Sequence, residues 1–401
     1  MLTDGIIAQL SDQGVWEEFL AWRLKKGRFN WNDFDEADLY VEREQYLPLA
    51  RHLAGGGQLG IPQKITVNKM GSGKKRVVYC FAPDEMTVLK LIAHLLYKYD
   101  DWFAPNCYAF RRGLRASDAL LRLHRLTRDK AWWAYKLDIH NYFNSIPVPL
   151  LLPMLRELLR DDPGLYHFFE AFLQDDRAVS NGQIVRESRG VMAGTPTAPF
   201  LADVYLNRVD HYFADAGVLY ARYSDDIILF APDRETLEQH KATLLRFLEE
   251  SGLEVNPAKE RLYAPGDAFE FLGFKCRGRE IDISDASVRK LKDKIRRKAR
   301  ALQRWKKRKG MDPERAMRAL IRFCNRKFFE DAQDGTLTWS RWFFPVITGA
   351  EGLRQIDHYF QNCLRALGTG RHNKANYRIT YDDLKRLGYR SLVSEYYKGR
   401  A

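Results

Sequence analysis

The stretch Leu219-Tyr-Ala-Arg-Tyr-Ser-Asp-Asp-Ile-Ile-Leu-Phe230 decides how the rest of the chain is read. Two apolar, β-branched or aromatic runs flank a sharp polar centre, Tyr223-Ser224-Asp225-Asp226. That pattern predicts a buried β-hairpin whose turn carries two adjacent carboxylates. Such carboxylates repel each other and cost desolvation, so something must offset them. A divalent cation is the usual answer, because hard cations take carboxylate oxygens. Two other acid pairs follow a tyrosine, at Tyr99-Asp100-Asp101 and Tyr381-Asp382-Asp383. Asp382 and Asp383 open a run that reads as the acidic first turn of a short helix. Asp100 and Asp101 follow a helical run. Neither pair lies between two strand-like runs, whereas Asp225 and Asp226 do.

Composition sets the bounds outward from there. The 401 residues suffice for two or three domains with real cores, and 45% apolar residues exclude a disordered chain. A net charge of +13 points to a polyanionic partner, nucleic acid before membrane. Arg289 to Lys309 holds thirteen Lys/Arg against one acid, Asp293, and so accounts for nearly all of the excess. Five scattered cysteines without a Cys-x-x-Cys predict a reduced, cytoplasmic protein without structural zinc. No apolar run approaches the length of a membrane span, so no membrane partner is expected.

Residues 1–50 read as helical core. Strands are predicted from Gln63 to Lys69 and from Arg76 to Phe81, around a tip carrying Lys69, Lys74, Lys75 and Arg76. A helix follows from Asp84 to about Tyr99. Tyr108 to Asp118 is a basic loop entering a helix, where Arg111, Arg112 and Arg115 suit phosphate contact or are ordinary surface arginines. The strand Trp132–Leu137 ends at Asp138, a place for a metal ligand or a helix cap. Residues 150–174 read as helix. A Gly/Pro-punctuated loop, Gly190 to Pro199, then opens a long helix to Phe213, and its small residues allow close backbone approach. Further on come a helix over 234–250, a turn holding Lys259, and a short strand Phe269–Phe274. From 285 onward the chain reads as a separate helical domain. Its basic first helix is striped by Leu291, Ile295, Leu302 and Trp305, as a groove-lining helix would be.

Taken together and in order, these pieces resemble the reverse transcriptases, over about residues 60 to 280. Asp138 with Phe143 matches motif A, Gly194–Pro199 with the following helix motif B, and Tyr223–Asp226 motif C. Gly252–Lys259 matches motif D and Phe271–Phe274 motif E, while the basic hairpin and Tyr108–Asp118 resemble the fingers motifs. The pattern is similar to prokaryotic members of the group II intron and retron kind. The C-terminal tail looks most like the stand-alone "unknown group" and abortive-infection types associated with phage defence.

The resemblance implies an α+β right hand: N-terminal helices and fingers over 1–130, a palm of antiparallel sheet plus helices over 131–283, and a basic α-helical thumb with C-terminal extension over 284–401. It implies catalytic Asp138, Asp225 and Asp226 which, with the main chain of Ile139, hold two Mg²⁺ (Mn²⁺ as a substitute) about 4 Å apart. Lys74, Lys75 and Arg76 would grip the triphosphate, with Gly194 shaping the nucleotide pocket. Lys259 would protonate pyrophosphate or serve the structure. Phe143 would be the steric gate that favours dNTPs over rNTPs. Arg111, Arg112, Arg115, Arg296, Arg297, Arg300 and Arg304 would follow nucleic-acid backbones. The expected partners are an RNA template or non-coding RNA, nascent DNA and dNTPs; a monomer, an RNA complex and a homo-oligomer are all compatible with the sequence. Ala193 stands where the family usually has Gln before the motif B glycine, which puts ordinary templated copying in doubt. Besides an RNA-directed DNA polymerase acting in antiphage defence, two readings therefore stay open. One is a template-independent or protein-primed DNA polymerase; the other is a non-catalytic RNA-binding or maturase-like protein.

Overall fold

The computed structural model describes residues 5–25, 31–68, 75–330, 338–370, 376 and 378–399. Lys69 and Lys74, expected at the tip of the first hairpin, lie outside the described residues. The chain divides into two compact units, 1–267 and 268–401. The class is α+β, with antiparallel sheets set among helices. Among the described residues no helix is long and apolar enough to cross a membrane.

The first unit carries two sheets. Strands β1 (Gln63–Asn68), β2 (Lys75–Cys80), β4 (Arg177–Ser180) and β5 (Gln183–Arg186) form one, in the order β2-β1-β4-β5. Its β1 and β4 run parallel, joined at Gln63 and Val179, while the other pairs are antiparallel. The second sheet combines β3 (Trp133–Asp138), β6 (Leu219–Tyr223), β7 (Asp226–Ala231) and β8 (Arg261–Tyr263), in the order β6-β7-β3-β8 and antiparallel throughout. Ile227 to Ala231 are all buried, which explains why β7 is written as an unbroken apolar run rather than an alternating one. The helices Ala198–Asp215 and Ala116–Thr127 pack on β6, and Arg234–Glu250 packs on β3 and β7. Asp233 caps the last of these by accepting from the Thr236 N–H at 2.8 Å.

The β4–β5 hairpin is absent from the sequence reading. Each strand has four residues, too few to show a period, and only Asn181-Gly182, both with positive φ, marks the turn. The run 150–174 is two helices, Val148–Leu158 and Pro163–Gln174, because Asp162 and Pro163 restart the helix: Asp162 accepts from the Leu165 N–H at 3.1 Å.

The second unit opens with β9 (Phe269–Phe271), β10 (Phe274–Arg277) and β11 (Glu280–Ile283), an antiparallel sheet. Phe269–Phe274 is therefore not the one strand expected from its apolar pattern. Leu272 and Gly273 take φ of +51° and +87° and turn the chain between two strands. The palm expected over 131–283 spans the division between the compact units at 267/268, and these strands fall in the second unit. The basic helix Asp285–Lys309 buries Val288, Leu291, Ile295 and Leu302 against the helices Pro313–Phe329 and Glu351–Thr369. Trp305, expected on the same stripe, is 38% exposed. Asp357, buried on Glu351–Thr369, accepts from the Tyr389 hydroxyl, the Ser391 hydroxyl and the Leu392 and Val393 N–H groups, and so fastens the final helix, Leu392–Lys398.

Candidate active site

The register of the second sheet builds the site. Asp138, the last residue of β3, lies directly opposite Asp226, the first of β7. Tyr223 and Asp226 close the β6–β7 hairpin, so its two-residue loop is Ser224-Asp225. Asp226 thus belongs to the strand rather than to the turn. Ser224 takes φ +60°, an unfavourable conformation for a residue with a Cβ, and its carbonyl accepts from Arg222 at 3.4 Å. The Ile139 N–H donates to the Asp225 carbonyl at 3.0 Å, which ties the turn to the end of β3. The main chains at Asp138 and Ile139 are also tied to the motif D turn: Asn256 N–H donates to the Asp138 carbonyl, and His140 N–H to Glu254.

Three carboxylates from two adjoining strand ends therefore share one place. Burial, then the charges of Asp138 and Asp226, push the Asp225 carboxyl up to about 6. Two lysines partly offset the charge. The Lys259 ammonium pairs with Asp138, whose side chain is almost wholly buried, and Lys136 on β3 lies 3.5 Å from Asp226. Two of the three carboxylates thus hold an ammonium and the third is pushed up, and among the described residues no group of three or more His, Cys, Asp or Glu stands arranged to hold a metal ion as it is. Lys259, expected near a leaving group, is seated on the acid cluster itself.

Aromatic rings from the segments that carry the acids meet one another. Phe143 is half-buried five residues after Asp138, and the Phe110 ring meets it edge-on at a centroid distance of 6.2 Å. Phe110 also lies 6.4 Å from the Tyr223 ring. It is 42% exposed and holds φ +57°. Nothing in the sequence of Tyr108–Asp118 tells Phe110, an exposed ring that meets Phe143 and Tyr223, from a core ring.

The predicted arginines divide. Arg111 donates to Asp100 at 2.8 Å and to the Ala104 carbonyl at 3.1 Å, and its side chain is 9% exposed. It belongs to the fold, and the Asp100 set aside above is its partner. Arg112 and Arg115 remain exposed, with the Arg115 N–H capped by Asp118 at 2.7 Å. Arg296, Arg297, Arg300 and Arg304 are exposed, with Arg296 held by Asp293 at 2.7 Å. Lys75 and Arg76 are exposed at the start of β2. Gly194 takes φ +106°, and a Cβ there would stand 3.0 Å from Val78 Cβ.

A second charged cluster lies beneath the hairpin. Arg222, fully buried in β6, is bidentate to Asp210 and donates to Asp203 at 2.9 Å. Cys107 is 3.1 Å away, and the Tyr220 hydroxyl donates to Asp210 at 2.9 Å. Burial raises the Asp203 carboxyl, with Arg222 pulling the other way. The sequence did hold a signal for this cluster. An arginine interrupts an apolar strand, and two acids seven residues apart share a face of the helix Ala198–Asp215.

With this geometry in hand, residues 67–276, just over half of the chain, match the family model "Reverse transcriptase (RNA-dependent DNA polymerase)". The chain belongs to the reverse transcriptase family. It is similar to retron Mx65 reverse transcriptase of Myxococcus xanthus, 35% identical over 89 residues that make up 21% of each protein. It is also similar to retron Ec86 reverse transcriptase of Escherichia coli, 24% identical over 106 residues, 25% of this chain and 33% of that one. The matched stretches thus span about a fifth to a third of these relatives. Among solved structures, apo telomerase from Candida tropicalis superposes with a TM-score of 0.48 at 12% identity, over 82% of this chain and 60% of that one.

Proposed function

We propose that the chain is an RNA-directed DNA polymerase that joins dNTPs to a primer 3′-hydroxyl. The observation that carries this reading is the register that sets Asp138 opposite Asp226 with Asp225 in the adjoining turn. Asp138, Asp225 and Asp226 are the residues that would hold two divalent cations, Mg²⁺ with Mn²⁺ as a substitute. When bound, these lower the pKa of the attacking hydroxyl and neutralise the leaving pyrophosphate.

The remaining roles fall to the chain's own groups. Lys259 shares the Asp138 carboxylate and stands ready to move toward the departing pyrophosphate when a cation takes that carboxylate. The Phe143 ring crowds a ribose 2′-hydroxyl and so selects dNTPs, with Phe110 braced against it. Lys75 and Arg76 meet the triphosphate as exposed cations on β2. Arg112, Arg115, Arg297, Arg300 and Arg304 contact phosphates of RNA and nascent DNA without reading sequence.

The test is extension of labelled primer with Mg²⁺ and dNTPs by protein purified from its host, with sequencing of bound RNA and of product. The expected result is DNA complementary to one co-purified RNA, lost in Asp225→Ala/Asp226→Ala. Absence of product with any metal or nucleotide, alongside stable RNA binding, would refute the polymerase reading in favour of a maturase-like RNA-binding protein. Ala193 favours a second reading, template-independent or protein-primed synthesis, whose product would have simple or random sequence. We also propose a role in antiphage defence, supported by the resemblance of the C-terminal tail. Phage plating on cells carrying the wild type, but not the double mutant, should fall; equal plating would remove this role.

A further inference from the structure

The loop Gly190–Gly194 runs between two segments that the family motifs treat separately: the gate segment Phe143–Asn144 and strand β2. Its fit on the gate side is close. A Cβ on Gly190, which holds φ +55°, would lie 2.3 Å from the Phe143 carbonyl oxygen, and the Val191 N–H donates to that same carbonyl at 2.8 Å. On the other side the Tyr79 N–H donates to the Ala193 carbonyl at 2.8 Å, and Gly194 abuts Val78. One side chain joins all three segments. The Asn144 Oδ1 accepts from the Ala193 N–H at 2.9 Å, and its Nδ2 donates to the Val77 carbonyl at 3.2 Å.

We infer that Asn144 is a positioning residue for the nucleotide pocket, clamping the motif B loop to β2 and to the main chain of the gate residue; this rests on the polymerase reading above. The two partners demand both functions of a carboxamide. An N–H needs an acceptor and a carbonyl needs a donor, and asparagine offers both on one short, planar group. Aspartate at neutral pH offers only the acceptor, and alanine neither. Ala193 has no polar side chain with which to order this part of the loop, so its main-chain amide is held from outside, by the residue next to the gate. Asn144 touches no reacting atom in this scheme. It fixes where the Phe143 backbone, the Ala193–Gly194 peptide and β2 stand relative to one another, and the sugar and base of an incoming nucleotide would be measured against that frame.

The experiment compares wild type, Asn144→Ala, Asn144→Asp and Ser145→Ala. Among the described residues the Ser145 hydroxyl bonds to the nearby His140 and Asn141 carbonyls, and it serves as the control. Two readouts are taken on each full-length protein: amide hydrogen exchange at Ala193 and Tyr79, and primer extension giving KM and kcat for dNTP and for rNTP. Asn144→Ala should speed exchange at Ala193 about fivefold or more. The same variant should raise the dNTP KM and narrow the dNTP-over-rNTP preference, each by about tenfold, as expected for two lost hydrogen bonds. Asn144→Asp should fall between, since it keeps the Ala193 contact, and Ser145→Ala should match wild type. Unchanged exchange at Ala193 overturns the clamp. Faster exchange with unaltered KM and sugar preference, or a loss confined to kcat, overturns the positioning role. Should Asn144→Ala fail to fold, Asn144→Asp carries the same readouts. A wild-type protein that makes no product overturns the polymerase reading instead, and the exchange data then decide the clamp alone.

Discussion

Two clusters of carboxylates lie about the same β-hairpin, and they are neutralised in different ways. Asp203 and Asp210 share one fully buried guanidinium, Arg222, with Tyr220 and Cys107 completing the shell. Asp138, Asp225 and Asp226 have two lysine ammoniums at their edges, one of them 45% exposed, and Asp225 is left holding its proton up to about pH 6. The first cluster is a closed structural unit that gains nothing from a further ion. The second keeps a demand for positive charge that the protein does not fill. Carboxylates in an apolar setting thus point to chemistry only where the fold leaves them short of cation.

The largest expected effect tests the open cluster. Asp138→Asn should lower nucleotide incorporation by at least about a thousandfold while changing the melting temperature of the metal-free protein little, because the repulsion relieved is offset by the lost Lys259 ion pair. Primer extension and calorimetry on one preparation check both halves, and a large loss of stability would break the contrast. The closed cluster should behave in the opposite sense. Arg222→Met strands two buried carboxylates and should cost about 3–5 kcal/mol of folding stability by urea denaturation. Adding Asp203→Asn and Asp210→Asn should restore much of it; a near-neutral single mutant would show that the network is not holding the hairpin.

Acidity separates the clusters more gently. The native state protonates Asp225 near pH 6, well above the ordinary value of 3.8, so it binds more protons than the unfolded chain across that interval. Metal-free stability should therefore fall as pH rises from about 4 through about 6, with the full cost, on the order of 3 kcal/mol, present only well above pH 6. Asp225→Asn should flatten that part of the profile, and saturating Mg²⁺ should raise the melting temperature above pH 6 far more than at pH 4. An identical slope in the mutant would remove the assignment. The smallest effect is expected at Lys259. Lys259→Ala removes one cation from Asp138 and the group placed to meet the pyrophosphate, and should slow turnover by about a hundredfold. A loss as great as that of Asp138→Asn would mean that the lysine is indispensable to the cluster.

Much of this is legible in the sequence. The apolar runs around Tyr223–Asp226, the strand ending at Asp138 and the helix opened by the Gly/Pro loop are local patterns, and the structure has each at nearly the expected place. Other features were not legible. Arg111 reads equally as a phosphate ligand or a surface arginine because its partner, Asp100, meets it only once the chain folds back. Trp305 fits the apolar stripe by spacing, yet the helices packed on that face do not cover it.

The sequence by itself determined most of the strands and helices, where the basic helix lies and that Asp138, Asp225 and Asp226 were worth following. Backbone conformation and hydrophobic periodicity are properties of neighbours along the chain, so they can be read from it. Only the tertiary structure decided that Asp138 faces Asp226, that Arg222 satisfies Asp203 and Asp210, and that Asn144 bridges Ala193 and Val77. These pairs lie from 12 residues apart in the chain, for Arg222 and Asp210, to 88 (226 less 138), for Asp138 and Asp226, and sheet register and buried charge pairing are settled by which surfaces meet.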